Sequence, residues 1–137
     1  MALVVLDEGG AEMVGRILNE EAPDNVTVKL FTNNVTPSAS DTQGSYTIAT
    51  VSGYADKTLT GASWTVTEAS PASGTATAAY AQQDFEPTTA VTCYGYVATN
   101  AAGTIGLWAE RFATPAVLGA GGGTISVTPQ LTLTTAS

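Results

Sequence analysis

A chain of 137 residues in which only 12% are charged, twelve acids against four bases, carries a net charge of −8, with a single cysteine and no histidine. Histidine-based catalysis, a multi-cysteine zinc site and an internal disulfide are thereby excluded. An acidic surface without a Lys/Arg cluster is repelled by phosphate, which removes DNA and RNA as direct ligands, and nothing approaches the roughly 20 apolar residues of a membrane-spanning helix.

Thr, Ala, Gly and Ser fill about half of the chain, the texture of a β-rich protein whose length suits one domain, 1–137, with a single core. Residues 3–6 (Leu-Val-Val-Leu) are too short for a signal core and lack preceding bases, so no targeting segment is expected; they are available as an extra strand. Residues 7–22 read as the one helix. Asp7 can cap it, Met13, Val14, Ile17 and Leu18 recur at three and four residues, and Pro23 stops it. Its one-sided apolar stripe predicts an amphipathic helix lying on something apolar, its own sheet or a neighbouring subunit. Six of the twelve acids fall within the first 24 residues and read as a solvated face.

From residue 26 the hydrophobic period changes to two. Seven strands are expected, at 26–32, 46–51, 63–67, 75–85, 91–99, 104–113 and 124–134, giving an all-β, mainly antiparallel fold of the sandwich or barrel type. In the last of them Ile125, Val127, Leu131 and Leu133 share one face. Pro129 interrupts it without a ladder donor, so the strand should lie at an edge, bulge or switch sheets there.

Residues 91–113 read as a hairpin turning at Asn100-Ala101-Ala102-Gly103. That turn sets Thr99 opposite Thr104, Gly95 opposite Trp108 and Val91 opposite Phe112. One face then holds Val91, Cys93, Gly95, Val97, Trp108 and Phe112, with Trp108 over Gly95; the other holds Tyr94, Tyr96, Ile105, Leu107 and Ala109. A ribbon apolar on both sides needs a second cover, either the helix or another copy of the chain.

The remaining candidates for chemistry have plainer readings. Asp84 and Glu86 share a strand face like a glycosidase carboxylate pair, but no apolar setting is in view to raise either pKa. The 41–44 loop lacks the acidic density of a calcium site, so neither a metal nor a cofactor is expected. The glycine-rich run 119–123 lacks a following lysine or helix and reads as a flexible connector. Cys93 reads as a core hydrophobe. Threonine faces with exposed Tyr46, Tyr54 or Tyr80 would suit a sugar, although threonine also simply fills the wet side of a strand. Glu110 and Arg111 point to opposite faces.

The runs Leu30-Phe31-Thr32-Asn33-Asn34 with Thr36-Pro37, Tyr94-Gly95-Tyr96, Leu107-Trp108-Ala109-Glu110-Arg111-Phe112 and Val127-Thr128-Pro129-Gln130-Leu131 resemble those of small virion structural proteins of tailed bacteriophages. The resemblance implies a jelly-roll-like β-sandwich with one short N-terminal helix, and a head decoration or cement protein without catalytic residues. Such proteins are made in the bacterial cytoplasm and sit on the capsid exterior, commonly as homotrimers on the major capsid protein; others are tail or collar components. In that reading Tyr94, Tyr96, Leu107, Trp108 and Phe112 hold the domain and its subunit contacts. Met13, Ile17 and Leu18 dock the helix onto the shell or a neighbour. A module binding host polysaccharide is the competing expectation.

Overall fold

The computed structural model describes residues 3–18, 24–67 and 75–134. In chain order its elements are β1 (Leu3–Val5), α1 (Asp7–Leu18), β2 (Val26–Phe31), β3 (Lys57–Leu59), β4 (Thr65–Thr67), β5 (Thr75–Ala79), β6 (Gln83–Phe85), β7 (Val91–Thr99), β8 (Gly106–Leu118), β9 (Ile125–Val127) and β10 (Gln130–Thr134). A five-stranded sheet is ordered β1-β8-β7-β2-β3, a three-stranded sheet β10-β5-β4, and β6 pairs with β9. Every pairing is antiparallel. The protein is thus mostly antiparallel β-sheet with one N-terminal helix, and among the described residues no sheet closes into a barrel.

The helix begins at Asp7 as expected; residues 19–22 of the expected helix and the stop at Pro23 lie outside the described residues. Acids in its first turn and Arg16 in its last suit the helix dipole. Two features fix it against β8. Gly9 lies so close to the strand that an added Cβ would stand 2.6 Å from the Gly106 carbonyl oxygen. The Glu8 carboxylate accepts the backbone N–H groups of Gln43 (3.0 Å) and Gly106 (2.6 Å). Removing that acceptor leaves two partly buried donors unpaired, so Glu8→Ala should cost about 2–3 kcal/mol. A urea midpoint unchanged from the parent chain would refute this role.

The 91–113 hairpin forms, but in another register. The Asn100 side chain accepts from the N–H groups of Thr104 (2.9 Å) and Ile105 (3.2 Å), which lengthens the loop so that Thr99 faces Gly106. Irregularities at Ala98/Thr99 and Cys93/Gly95 shift the pairing further. Gly95 therefore faces Arg111 and Trp108 faces Ala98. The aromatic cover over Gly95 is Phe31 of β2, not Trp108. Tyr94 and Tyr96 end up on opposite faces, in separate apolar clusters.

Both faces of the large sheet are apolar, as expected, and this chain covers both. On the first, Val28, Leu30, Tyr96, Ala98 and Trp108 pack with Phe85, Ile125 and Val127 of the β6/β9 pair, and with Trp64 and Leu131 beside the three-stranded sheet. On the second, Leu6, Phe31, Val97 and Ala109 are covered by Val35, Tyr46 and Ile48. Neither the helix body nor a second copy supplies that cover. The 33–48 stretch does, held by Arg111, which donates to the Val35 carbonyl (2.7 Å) and the Asn34 side chain and lies over the Tyr94 ring. The expected strand at 46–51 is reduced to a single bridge of Ile48 to Phe31, flanked by the Thr32 N–H donating to Thr47 (2.8 Å) and the Ala49 N–H donating to Leu30 (3.0 Å).

The expected strand at 124–134 does change sheets at Pro129, β9 joining β6 and β10 joining β5. The 75–85 strand breaks at the same level, with three residues between β5 and β6 against two between β9 and β10. The two small sheets are in effect one ribbon with a bulge where proline has no N–H to give. The pair is bridged by the Tyr80 N–H donating to the Pro129 carbonyl (2.9 Å). Strand β3 was not expected, and β8 runs to Leu118, five residues past the expected end. Nor is the glycine run a flexible connector. Gly122 donates to Gly119 and Gly123 to Pro87, with Gly122 at φ 70°, so the run is a tight turn fastened to the 86–88 segment.

Candidate functional site

Between α1, β8 and the inner end of the three-stranded sheet lies a cleft with about 170 Å³ of free space. Its floor is Leu107 and Trp108; Met13, Val26, Trp64, Ala78 and Leu131 form its walls. The Trp64 ring stands edge-on to Trp108 at 5.9 Å and to Tyr80 at 5.2 Å. At the rim Arg16 bridges Glu12 (3.0 Å) and Asp24 (3.1 Å), pairs worth under about 1 kcal/mol each at such exposure. Arg16, those two carboxylates, Asn25 and Asn100 are its polar lining, and the rest is apolar.

The expected contact residues separate by burial. Met13, Leu107 and Trp108 meet at the cleft. Tyr96, Leu107 and Trp108, at 2%, 6% and 2% exposure, are sealed in the core. They hold the domain, and burial leaves them no surface for the subunit contacts expected of them. The Tyr96 hydroxyl, donating to Glu110 (2.9 Å) and accepting from the Trp108 indole N–H (3.4 Å), keeps its proton well above the usual tyrosine range because it is buried. Tyr94 is half-buried beneath Arg111, and Phe112 packs at the margin of the first cluster. Ile17 and Leu18 alone stand clear of the fold, at 75% and 74% exposure, with Val14 beside them.

Two surface residues that the sequence did not mark as exposed are Val66 and Leu133, the latter grouped by alternation with Ile125, Val127 and Leu131. Both are exposed on the three-stranded sheet, at 65% and 53%. Alternation marks which face a side chain takes, but not whether anything lies over that face.

The carboxylate pair does not make an acid–base site. Asp84 accepts from Ser126 (2.7 Å) and Gln82 (2.8 Å), and these bonds hold its carboxyl below the usual range, whereas a general acid needs it raised. Asp41 accepts from the Ser38 N–H and the Tyr46 hydroxyl and so organises its own loop. Among the described residues no three His, Cys, Asp or Glu side chains converge as metal ligands, and no helix is long and apolar enough to cross a membrane.

The tyrosines read as a sugar platform are engaged inside the fold. Tyr46 is buried. Tyr54 stacks on Phe85, accepts from the Leu30 N–H and donates to Asp56; Tyr80 accepts from the Thr60 N–H. Cys93 is fully buried, and burial pushes its thiol up to about 11. A scan against models of protein families and searches of curated proteins and of solved structures found no match to this chain.

Proposed function

We propose that this chain is a non-enzymatic structural protein of a tailed-phage virion. It decorates the capsid exterior, oligomerises there, and cements the major capsid protein after synthesis in the host bacterium. The observation that carries the reading is the bare apolar ridge of α1, Val14, Ile17 and Leu18, on a helix whose other residues already anchor it to β8. A ridge of that kind, three large apolar side chains together on one helix, marks a protein contact. The finer architecture in this reading is the jelly-roll-like sandwich, supported by the packing of the small sheets over one face of the large one.

Binding only the assembled shell stabilises it by mass action, and many copies on a repeating lattice add weak contacts together. Shells lacking the protein should gain heat or osmotic tolerance when it is added. Ile17→Glu should weaken that binding tenfold or more, since a buried isoleucine is worth about 1.5–3 kcal/mol. Equal shell tolerance with and without the parent protein would overturn the reading. Binding to tail or collar in place of head would move the same ridge to another position in the particle.

A further inference from the structure

The cleft between α1, β8 and the three-stranded sheet has walls that its own fold holds in place. Trp108, on its floor, spends its indole N–H on the Tyr96 hydroxyl (3.4 Å). Trp64 is held edge-on between Trp108 (5.9 Å) and Tyr80 (5.2 Å), and the Tyr80 hydroxyl in turn accepts the Thr60 N–H (3.1 Å). Met13 lines the helix side with an unbranched side chain that adapts to whatever it touches. We propose that this cleft binds a small, uncharged molecule made of one aromatic ring with a hydroxyl-type polar edge, the ring against the two tryptophans and the polar edge at the rim.

Three properties select that guest. The cleft holds about 170 Å³, close to the roughly 150 Å³ of an apolar cavity that takes benzene, so its size is that of one ring. The two indoles favour an aromatic guest over an aliphatic one of equal size, because ring edges and ring faces attract. At the rim Glu12 and Asp24 outnumber Arg16 on a chain that carries −8, so a carboxylate on the guest is repelled, whereas a hydroxyl meets acceptors. A free molecule is favoured over the side chain of a protein partner. A partner surface close enough to insert a ring would cover the Glu12–Arg16–Asp24 group, and taking those charges out of water is costly; a free molecule leaves them wet.

The cleft takes Glu12, Met13 and Arg16 from α1 and none of the Val14, Ile17, Leu18 ridge, so this site goes beyond the shell reading and does not depend on it. The chain has two tryptophans and both line the cleft, so their indole N–H signals in the NMR spectrum of the full chain report on it directly. Titration with phenol should shift both signals to saturation. Cyclohexanol should bind more weakly, and benzoate about tenfold or more weakly, since its charge must leave water beside the acidic rim. Ala78→Leu and Met13→Trp, which fill the cleft from opposite walls, should each weaken phenol binding about tenfold or more. Circular dichroism matching the parent shows that lost binding is not lost folding, and either of the two variants suffices. Ile17→Glu, made against shell binding, should take phenol as the parent does. Shifts that grow with phenol without saturating, cyclohexanol or benzoate binding as well as phenol, or a folded, filled variant binding like the parent overturns the proposal. Loss of shell binding alone would remove the decoration role and leave this site standing.

Discussion

Gly95→Ala should lose about 4 kcal/mol or more of stability, a large part of the roughly 5–15 kcal/mol that keeps a domain folded. A Cβ on Gly95 would stand 2.5 Å from the Phe31 ring and 2.9 Å from the Arg111 Cα, and closer still to the Glu110 carbonyl oxygen. Two of these three neighbours are backbone of the paired strand, and Phe31 is fully buried and held by Tyr46 at 5.0 Å between ring centroids. Nothing nearby can give way without opening the β7/β8 pairing or the second apolar cluster. Gly10 and Gly15 supply the contrast, since neither would place a Cβ within 4 Å of another group. Alanine there should stabilise the helix by about 0.5–1 kcal/mol. Urea midpoints of the three variants test the difference, and a Gly95→Ala midpoint equal to that of the parent would sink it.

The second large effect is alkaline unfolding. Burial raises the Cys93 thiol from its ordinary value of 9.0 to about 11, and burial first of all raises the hydroxyls of Tyr46, Tyr54 and Tyr96 above their usual 10.0. Asp41 adds to the shift at Tyr46 and Asp56 at Tyr54. In each case the folded chain keeps a proton that the unfolded chain releases at lower pH. Stability from these four groups is therefore complete below about pH 9 and falls as pH climbs through 10 and 11. Each group that is ionised only in the unfolded state removes about 1.4 kcal/mol per pH unit. Absorbance at the tyrosinate band should show three of the five tyrosines silent until the chain unfolds. Smooth titration of all five near pH 10 in a still-folded protein would contradict this.

How far the fold could be read from sequence depended on whether the signal was local. The sheet change at Pro129 follows from one missing N–H, and the two-faced apolar ribbon follows from residue types alone; both are present. Register failed because it hangs on side-chain chemistry in the turn. Asn100 caps two amides beyond the tight loop and offsets the pairing by two, and the irregularity at Ala98/Thr99 adds one more, an odd total that exchanges the faces of one strand relative to the other. Together these shifts moved Trp108 away from Gly95 and gave its place to Phe31. The cover of the second face was out of reach for a different reason. Val35 sits in a loop without period, Tyr46 and Ile48 in a run read as an ordinary strand, and only the sheet brings the three together. Of the candidate contact residues, Ile17 and Leu18 are on the surface, while Tyr96, Leu107 and Trp108 went to the core because large apolar side chains look alike in sequence whether they are covered or bare.

Strand β1 pairs with β8 through Leu3 and Glu110, and β2 with β7 through Thr27 and Thr99. The earliest strands thus wait for partners made near the end of the chain. Closing such long loops costs entropy before any contact repays it, which places folding in the slow, millisecond-to-second range of β proteins. During synthesis the first sixty residues can form only the short β2/β3 edge pair of the large sheet. A ribosome-bound fragment ending before Gly106 should lack β8, which joins β1 to β7 in the large sheet, and bind chaperones, and the native core should appear only once β8 has emerged.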